Sequence, residues 1–420
     1  MKKAKFLIFA ALAASTVAIS SCSDNDVLDS TKKKVEGSDI IVSASVDGSR
    51  ATALTSDNFT SFKLFGYQNP ATGTDDDAQG FLNGADGVDF TGELNAAWTT
   101  TGTAKWPTTN TDRSCNFYAL SLQGRSALGE NIDPSGLQSG SFIYTSTLTG
   151  VGEDAYVDPA NQQDLMVAAN INRFQSTNGG VVNLPFKHAF ALVNLSLGFD
   201  VEAWSTSSNE PLSTGIGASS KYAIDYIALH NVKVNGTFTF TWDSEHSTWV
   251  GTWSPSGNGT IKYVYGTTDP LILDVDETKP TSENPVAYQP LQKDPLNPNL
   301  IMMVPQKVND SEDNNVSWPA DNKVSGASNY TYLEIHGVSW DVSQSGGITE
   351  TPWENPTAVA DEEYMYNIGT NESIGTSIYC PLPADFTFVA NKKYNLRFNL
   401  AKFYNDNGIR TLTGAYVPDE

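Results

Sequence analysis

Few residues in this sequence stand in spacings that support catalysis. The four histidines, His188, His230, His246 and His336, are scattered. His188 falls in an otherwise apolar strand pattern, where a histidine is a hydrogen-bonded structural residue more often than a base. No serine sits in a Gly-x-Ser-x-Gly elbow, and no His-Glu-x-x-His or Cys-x-x-Cys spacing offers metal ligands. No glycine-rich loop opens a helix to cradle phosphate. Carboxylates are abundant, but abundance alone defines no acid–base pair. Asp75-Asp76-Asp77 and Asp274-x-Asp276-Glu277 offer oxygens to a calcium ion, yet neither completes a binding loop, so both read as solvated acidic loops. Trp242, Trp249 and Trp253 share one region. Exposed, they would stack on sugar rings; on a hairpin facing the core they would be packing residues, which is the preferred reading. The expectation is a protein without catalytic residues, metal or cofactor.

Two positions do invite covalent chemistry. Lys2, Lys3 and Lys5 precede an apolar stretch, Phe6 to Ile19, broken only by Ser15 and Thr16. That stretch is too short for a stable membrane span and reads as a removed export signal over residues 1–21. Ile19-Ser20-Ser21-Cys22 resembles a lipobox, which implies cleavage before Cys22 and acylation, palmitate included, of its sulfur and new amino terminus. Several acyl chains hold a soluble domain to a membrane far better than one. Ser23-Asp24-Asn25-Asp26 is similar to the short acidic signals that send lipoproteins to the outer face of the cell outer membrane. Residues 22–37 would then be a tether. The second position is Arg50, within the small, polar stretch Gly48-Ser49-Arg50-Ala51-Thr52, and no other arginine occurs before Arg113. An exposed linker of this kind is where proteases cut.

Composition limits the partners. The 25 basic residues face 48 acidic ones, a net charge of −23. No acidic residue precedes Cys22, so loss of the signal would leave 22 basic against 48 acidic residues, or −26. Such a charge repels phosphate backbones and argues against nucleic acid. Cys115 and Cys380 are the only cysteines after Cys22, too few for a disulfide framework, and read as buried thiols rather than as a bridge.

The elements that must position these residues are strands, because the apolar period is two. Ile40, Val42, Ala44 and Val46 form one face of a strand, with Ile41 the exception. Ala189, Ala191, Val193, Leu195, Leu197 and Phe199 form another, and the even positions from Tyr394 to Leu400 a third. Further strands are expected at 62–67, 115–120, 165–168, 223–234, 237–242, 262–265, 271–275, 301–304 and 330–336. Turn-rich stretches such as 83–87 and 254–259 separate them. The segments 202–220, 278–299 and 306–328 read as surface loops. No amphipathic helix is evident. Many short strands must cover each other's apolar faces, which predicts all-β, antiparallel sandwiches. A polar run at 176–180 marks the expected division into domains 38–178 and 179–420.

Several segments, in order, resemble the fimbrillin family of type V pili. Lys105-Trp106-Pro107 and Asn116-Phe117-Tyr118-Ala119-Leu120 are similar to its tryptophan-proline strand and the aromatic strand after it. Asp164-Leu165-Met166-Val167-Ala168 resembles the strand closing its first domain. Leu184 to Val193 resembles its most recognisable segment. Val232 to Gly236, Met303 to Gln306 and Lys393 to Leu396 come later in the same order. The resemblance implies two tandem transthyretin-like β-sandwich domains in a fimbrial (pilus) subunit or accessory protein serving cell adhesion. It also implies an arginine-specific protease cutting after Arg50. The strand bearing Ile40, Val42, Ala44 and Val46 would then leave, and a strand from another pilus subunit would fill the groove. Alternatively that strand stays as a permanent edge. At the other end, the segment containing Leu412 and Tyr416 is either a donated strand or the last strand of the second domain. The competing functional reading is a non-polymerising surface lipoprotein that binds host proteins or glycans; a carbohydrate-active enzyme ranks third.

Overall fold

The computed structural model describes residues 37–46, 59–72, 77–84, 86–94, 96–176, 180–199, 220–266, 271–274, 289–291, 301–313, 316–317, 329–341, 365–366, 376–404 and 410–417. In chain order the strands are β1 (Ile41–Val46), β2 (Ser61–Gln68), β3 (Gln79–Gly80), β4 (Val88–Thr91), β5 (Thr99–Thr100), β6 (Cys115–Leu122), β7 (Ile132–Asp133), β8 (Ser141–Tyr144), β9 (Leu165–Arg173), β10 (Val181–His188), β11 (Ala191–Phe199) and β12 (Ser220–Asp243). They continue with β13 (Thr248–Val264), β14 (Leu271–Asp274), β15 (Gln289–Pro290), β16 (Ile301–Met303), β17 (Gln306–Val308), β18 (Tyr332–Asp341), β19 (Met365–Tyr366), β20 (Thr376–Pro381), β21 (Phe386–Phe388), β22 (Lys393–Tyr404) and β23 (Arg410–Val417). Helical structure among the described residues is confined to short 3₁₀ turns at Pro134–Ser139, Gly152–Asp154 and Pro159–Asn161.

The first sheet has the order β1-β10-β9-β6-β2-β4-β5, with β3 on β2. The second runs β15-β11-β22-β23, with β16 on β11. The third runs β19-β18-β12-β8-β7, with β13 and β14 also on β12 and β20 on β18, while β17 and β21 pair separately. The all-β sandwich architecture expected from the period-two pattern is what the structure has. It is not purely antiparallel: β1 runs parallel to β10, and β11 parallel to β22. Each parallel pair joins strands far apart in the chain, which no hairpin can do.

The central strands of the first sheet are apolar on both faces. From β2, Phe62 and Leu64 enter a first core while Phe65 and Tyr67 enter a middle core. From β6, Phe117 and Ala119 point to the first core, Tyr118 and Leu120 to the middle one. Two-sided burial accounts for their near-continuous apolar sequences. The first core is closed by loop residues such as Trp98 and Trp106 and by β1. The middle core is closed by Phe142 of β8 and, from the other half of the chain, by Phe238 and Phe240 of β12 and Trp249 of β13. A last core lies between β11 and β22 on one side and the first part of β12, β18 and β20 on the other.

One strand serves two cores because β12 is 24 residues long. Ile227 and Leu229 point into the last core at odd positions, and Val232 and Val234 at even positions. The register slips between Leu229 and Val232, where Asn231 adopts a positive φ of 57°. The bulge flips the face without ending the strand. Beyond it, Phe238 and Phe240 continue the even phase into the middle core. Opposite them in β13, Gly251 leaves room for the Phe238 ring, whose Cζ would lie 2.1 Å from a Cβ at that position.

The structure differs from some expectations and meets others. The stretch 254–259 is not a turn but part of β13, with Pro255 opposite Gly236. Among the described residues the backbone pairs of this stretch are all with β12, and proline is tolerated on such an edge. The two strands expected at 223–234 and 237–242 are one. The loop expected from residue 306 opens with a strand, β17. Strands from either side of residue 178 share sheets: β10 lies in the first sheet between β1 and β9, while β7 and β8 join β12 in the third. Trp249 is buried, and Trp242 and Trp253 pack against the middle core. Cys115 and Cys380 are buried in different cores and are not bridged to each other, and burial pushes the Cys380 thiol up.

Each of the four histidines has a carboxyl partner. His188 Nδ1 lies 2.6 Å from Asp164 Oδ2, His230 Nε2 2.6 Å from Glu334 Oε2, His246 Nδ1 2.7 Å from Asp243 Oδ2, and His336 Nδ1 2.5 Å from Asp225 Oδ1. The Asp164–His188 pair is fully enclosed, and Asp164 Oδ1 and His188 Nε2 make no further hydrogen bond. It ties β10 to the residue preceding β9. Replacing His188 with Leu should destabilise the protein by about 3–5 kcal/mol in urea unfolding, because it strands a buried carboxyl. The double variant Asp164→Leu/His188→Leu should lose less. Glu334 lies on the outer face of the third sheet. Burial opposes its ionisation, yet hydrogen bonds from His230, Ser377 and Tyr226 hold it down at about 2 against an ordinary 4.5. A lowered folded pKa contributes stability that is full above the unfolded value and fades as pH falls through the folded one. The stability advantage over Glu334→Gln should therefore shrink by roughly 2–3 kcal/mol between about pH 6 and pH 2.

Candidate strand-exchange site

β1 lies at the edge of the first sheet, and among the described residues β10 is its only strand partner. The ladder runs from Ile41 opposite Val181 to Val46 opposite Phe186. Alternation sends every second side chain inward. Ile40, Val42 and Ala44 are buried, and Val46 packs half-buried against the same core. Ile41 on the opposite face is 58% exposed. The inward row lies beside Val182, Leu184 and Phe186 of β10, and Trp106, edge-on to Phe117 at 5.2 Å between centroids, closes the far side. Burying Ile40 and Val42 contributes about 1.5–3 kcal/mol each.

The residues before β1 are held differently. Ile40 N donates to Ala104 O at 2.8 Å, and Trp106 N donates to Ser38 O at 3.0 Å. Asp39 and Lys105 form an antiparallel bridge, with Lys105 Nζ 3.8 Å from Asp39 Oδ1. Gln175 Nε2 donates to Ser38 Oγ at 2.5 Å. Trp106 is itself anchored, its indole N–H donating to Gly180 O at 3.3 Å. Residues 38–40 thus sit in a clamp, whereas 41–46 form an open edge. Sequence reasoning missed the clamp. Its two sides are far apart in the chain, and the only signal was the Lys105-Trp106-Pro107 segment, noted for resemblance rather than for contact.

Cys22, Arg50 and the acidic residues Asp75, Asp76, Asp276 and Glu277 lie outside the described residues. Among the described residues no three His, Cys, Asp or Glu side chains converge as metal ligands. Leu412 and Tyr416 belong to β23, whose backbone pairs antiparallel with β22, Leu412 opposite Lys402 and Tyr416 opposite Phe398. β23 is the edge of the second sheet. The structure therefore places the two terminal candidate strands at edges of different sheets.

Known proteins resemble this chain in fold and in sequence profile. Among solved structures, the chain is similar to a fimbrial protein from Bacteroides vulgatus at 12% identity, covering 90% of this chain and 98% of that one with a TM-score of 0.38. It is also similar to the tip fimbrial protein Mfa3 from Porphyromonas gingivalis, at 10% identity, 90% and 100% coverage and a TM-score of 0.31. No curated protein matches the chain. The sequence profile described as fimbrillin-like matches residues 49–415. With most of its length matched, this chain belongs to the fimbrillin-like family.

Proposed function

We propose that this protein is a subunit or accessory protein of a fimbria, serving adhesion at the cell surface and joined to its neighbours by strand exchange at the β1 groove. Membership of the fimbrillin-like family supports a fimbrial or adhesive role and association with other pilus subunits. The observation that carries the finer reading is the state of β1. Its apolar row is buried, yet among the described residues its backbone is paired on one side only along 41–46. An arginine-specific protease cutting after Arg50 would detach residues 38–50 from the remainder of the chain. Departure of the strand bares an apolar slot and the free edge of β10. A neighbour's strand filling that slot gains main-chain hydrogen bonds and side-chain burial together. In this reading Cys22 carries the lipid that holds the precursor on the outer membrane surface before assembly.

A second reading draws on the other terminus. β23 is fully laddered on β22, from Arg410 opposite Tyr404 to Val417 opposite Arg397. Donating Leu412 and Tyr416 would require that ladder to come apart. A subunit that accepts a strand and donates none would stand at one end of a filament. One that does neither would act alone as a surface lipoprotein binding glycans or host proteins.

Treatment of the chain with an arginine-specific protease should produce a ladder of multimers on an unheated denaturing gel. Arg50→Ala should give monomer only, and a clipped monomer from the wild type would support the second reading. Val42→Asp puts a charge into the buried row, which an apolar core does not tolerate. It should undock β1 and make residues 38–50 susceptible to proteases of any specificity, while the melting of the rest of the fold shifts little.

A further inference from the structure

We infer that β1 opens in one direction, coming free first at Val46 and last at the Ser38–Ile40 clamp. The inference deepens the strand-exchange reading, on which its use in assembly rests, by stating where an incoming strand of a neighbouring subunit first makes contact.

The two halves of the segment are bound by different numbers of partners. Ser38 to Ile40 is engaged by Ala104 O, by the Trp106 N–H, by Gln175 Nε2 and by the Asp39–Lys105 bridge. From Val42 to Val46 no partner strand lies on the outer side among the described residues. Side-chain burial is graded in the same sense. Ile40 and Val42, the larger buried groups, lie toward the clamp; the open end has the small Ala44 and the half-buried Val46. Local opening begins where contacts are weakest. Fraying from Val46 breaks only the β10 ladder, whereas fraying from Ser38 must also break the clamp. Trp106, buried and bonded to Gly180 O, keeps the outer jaw in place while the strand frays. The first positions vacated lie beside Phe186 and Leu184. An incoming strand would pair there and displace β1 toward the clamp. The clamp would also slow the loss of the cut strand, which shortens the time for which the apolar slot stands open to water.

Hydrogen exchange on the uncut full chain decides the inference whatever becomes of assembly. Since Ile40 N–H faces Ala104, the amides of Ser43 and Ser45 alternate toward β10. Ser45 should exchange at least about tenfold faster than Ile40 and Trp106; equal rates, or a slower Ser45, overturn directional opening. A second measurement tracks the fragment after cleavage at Arg50. Loss of a clamp hydrogen bond in Gln175→Ala should speed its departure about fivefold to tenfold, while Ser45→Ala should leave it unchanged. An unchanged rate in Gln175→Ala overturns the clamp. If the exchange gradient is present but no variant ever releases the fragment to a competing subunit, directional opening stands and the strand-exchange reading fails.

Discussion

The first sheet carries apolar side chains on both faces, and most of the molecule is arranged to cover them. Phe62 and Leu64 point one way from β2, Phe65 and Tyr67 the other, and β6 and β9 repeat the arrangement. A sheet with one wet face could stand on a single partner layer; this one cannot. Its first face is closed within the amino-terminal half, by loops carrying Trp98 and Trp106 and by β1. Its second face is closed by the far half of the β12–β13 hairpin. The two halves of the chain are therefore joined by an apolar core, not by a linker alone. Trp253, whose indole N–H reaches Ala189 O at 2.7 Å, and Lys187, 4.9 Å from the Trp249 ring, hold the crossover between β10 and β11 beneath that hairpin.

This arrangement gives the amino-terminal strand its character. Every other large contribution to the first core comes from strands paired on both sides or from loops. The open edge is left to 41–46, a short segment with serines on its outer face, which is the ordinary way a protein keeps an edge from pairing indiscriminately. Stability at this edge is thus borrowed from side-chain burial and from the 38–40 clamp. β10 itself is joined to β9 at Lys187 opposite Val167 and His188 opposite Met166, and its end is tied by the Asp164–His188 pair.

Histidine pairing shows how a strongly acidic chain uses its few histidines. His230 and His336 stack on Tyr332 and Tyr226 while bonding Glu334 and Asp225. They fasten β18 to β12 across the outer face of the third sheet, a structural task consistent with the expectation formed from their scatter.

The sequence alone determined the strands with clean alternation, the all-β class and the family, because period-two burial and short motifs are local properties. It also marked Ile40, Val42, Ala44 and Val46 as one apolar row. Tertiary structure decided what that row meets. The parallel docking on β10, the clamp from residues 104–106 and Gln175, and the assignment of β7, β8 and β10 across the expected division all join positions distant in the chain. The long β12 likewise escaped sequence reading, since its bulge at Asn231 reverses the buried phase, which a periodic pattern reads as a break. Alternation records which side chains are hidden; only packing records what hides them.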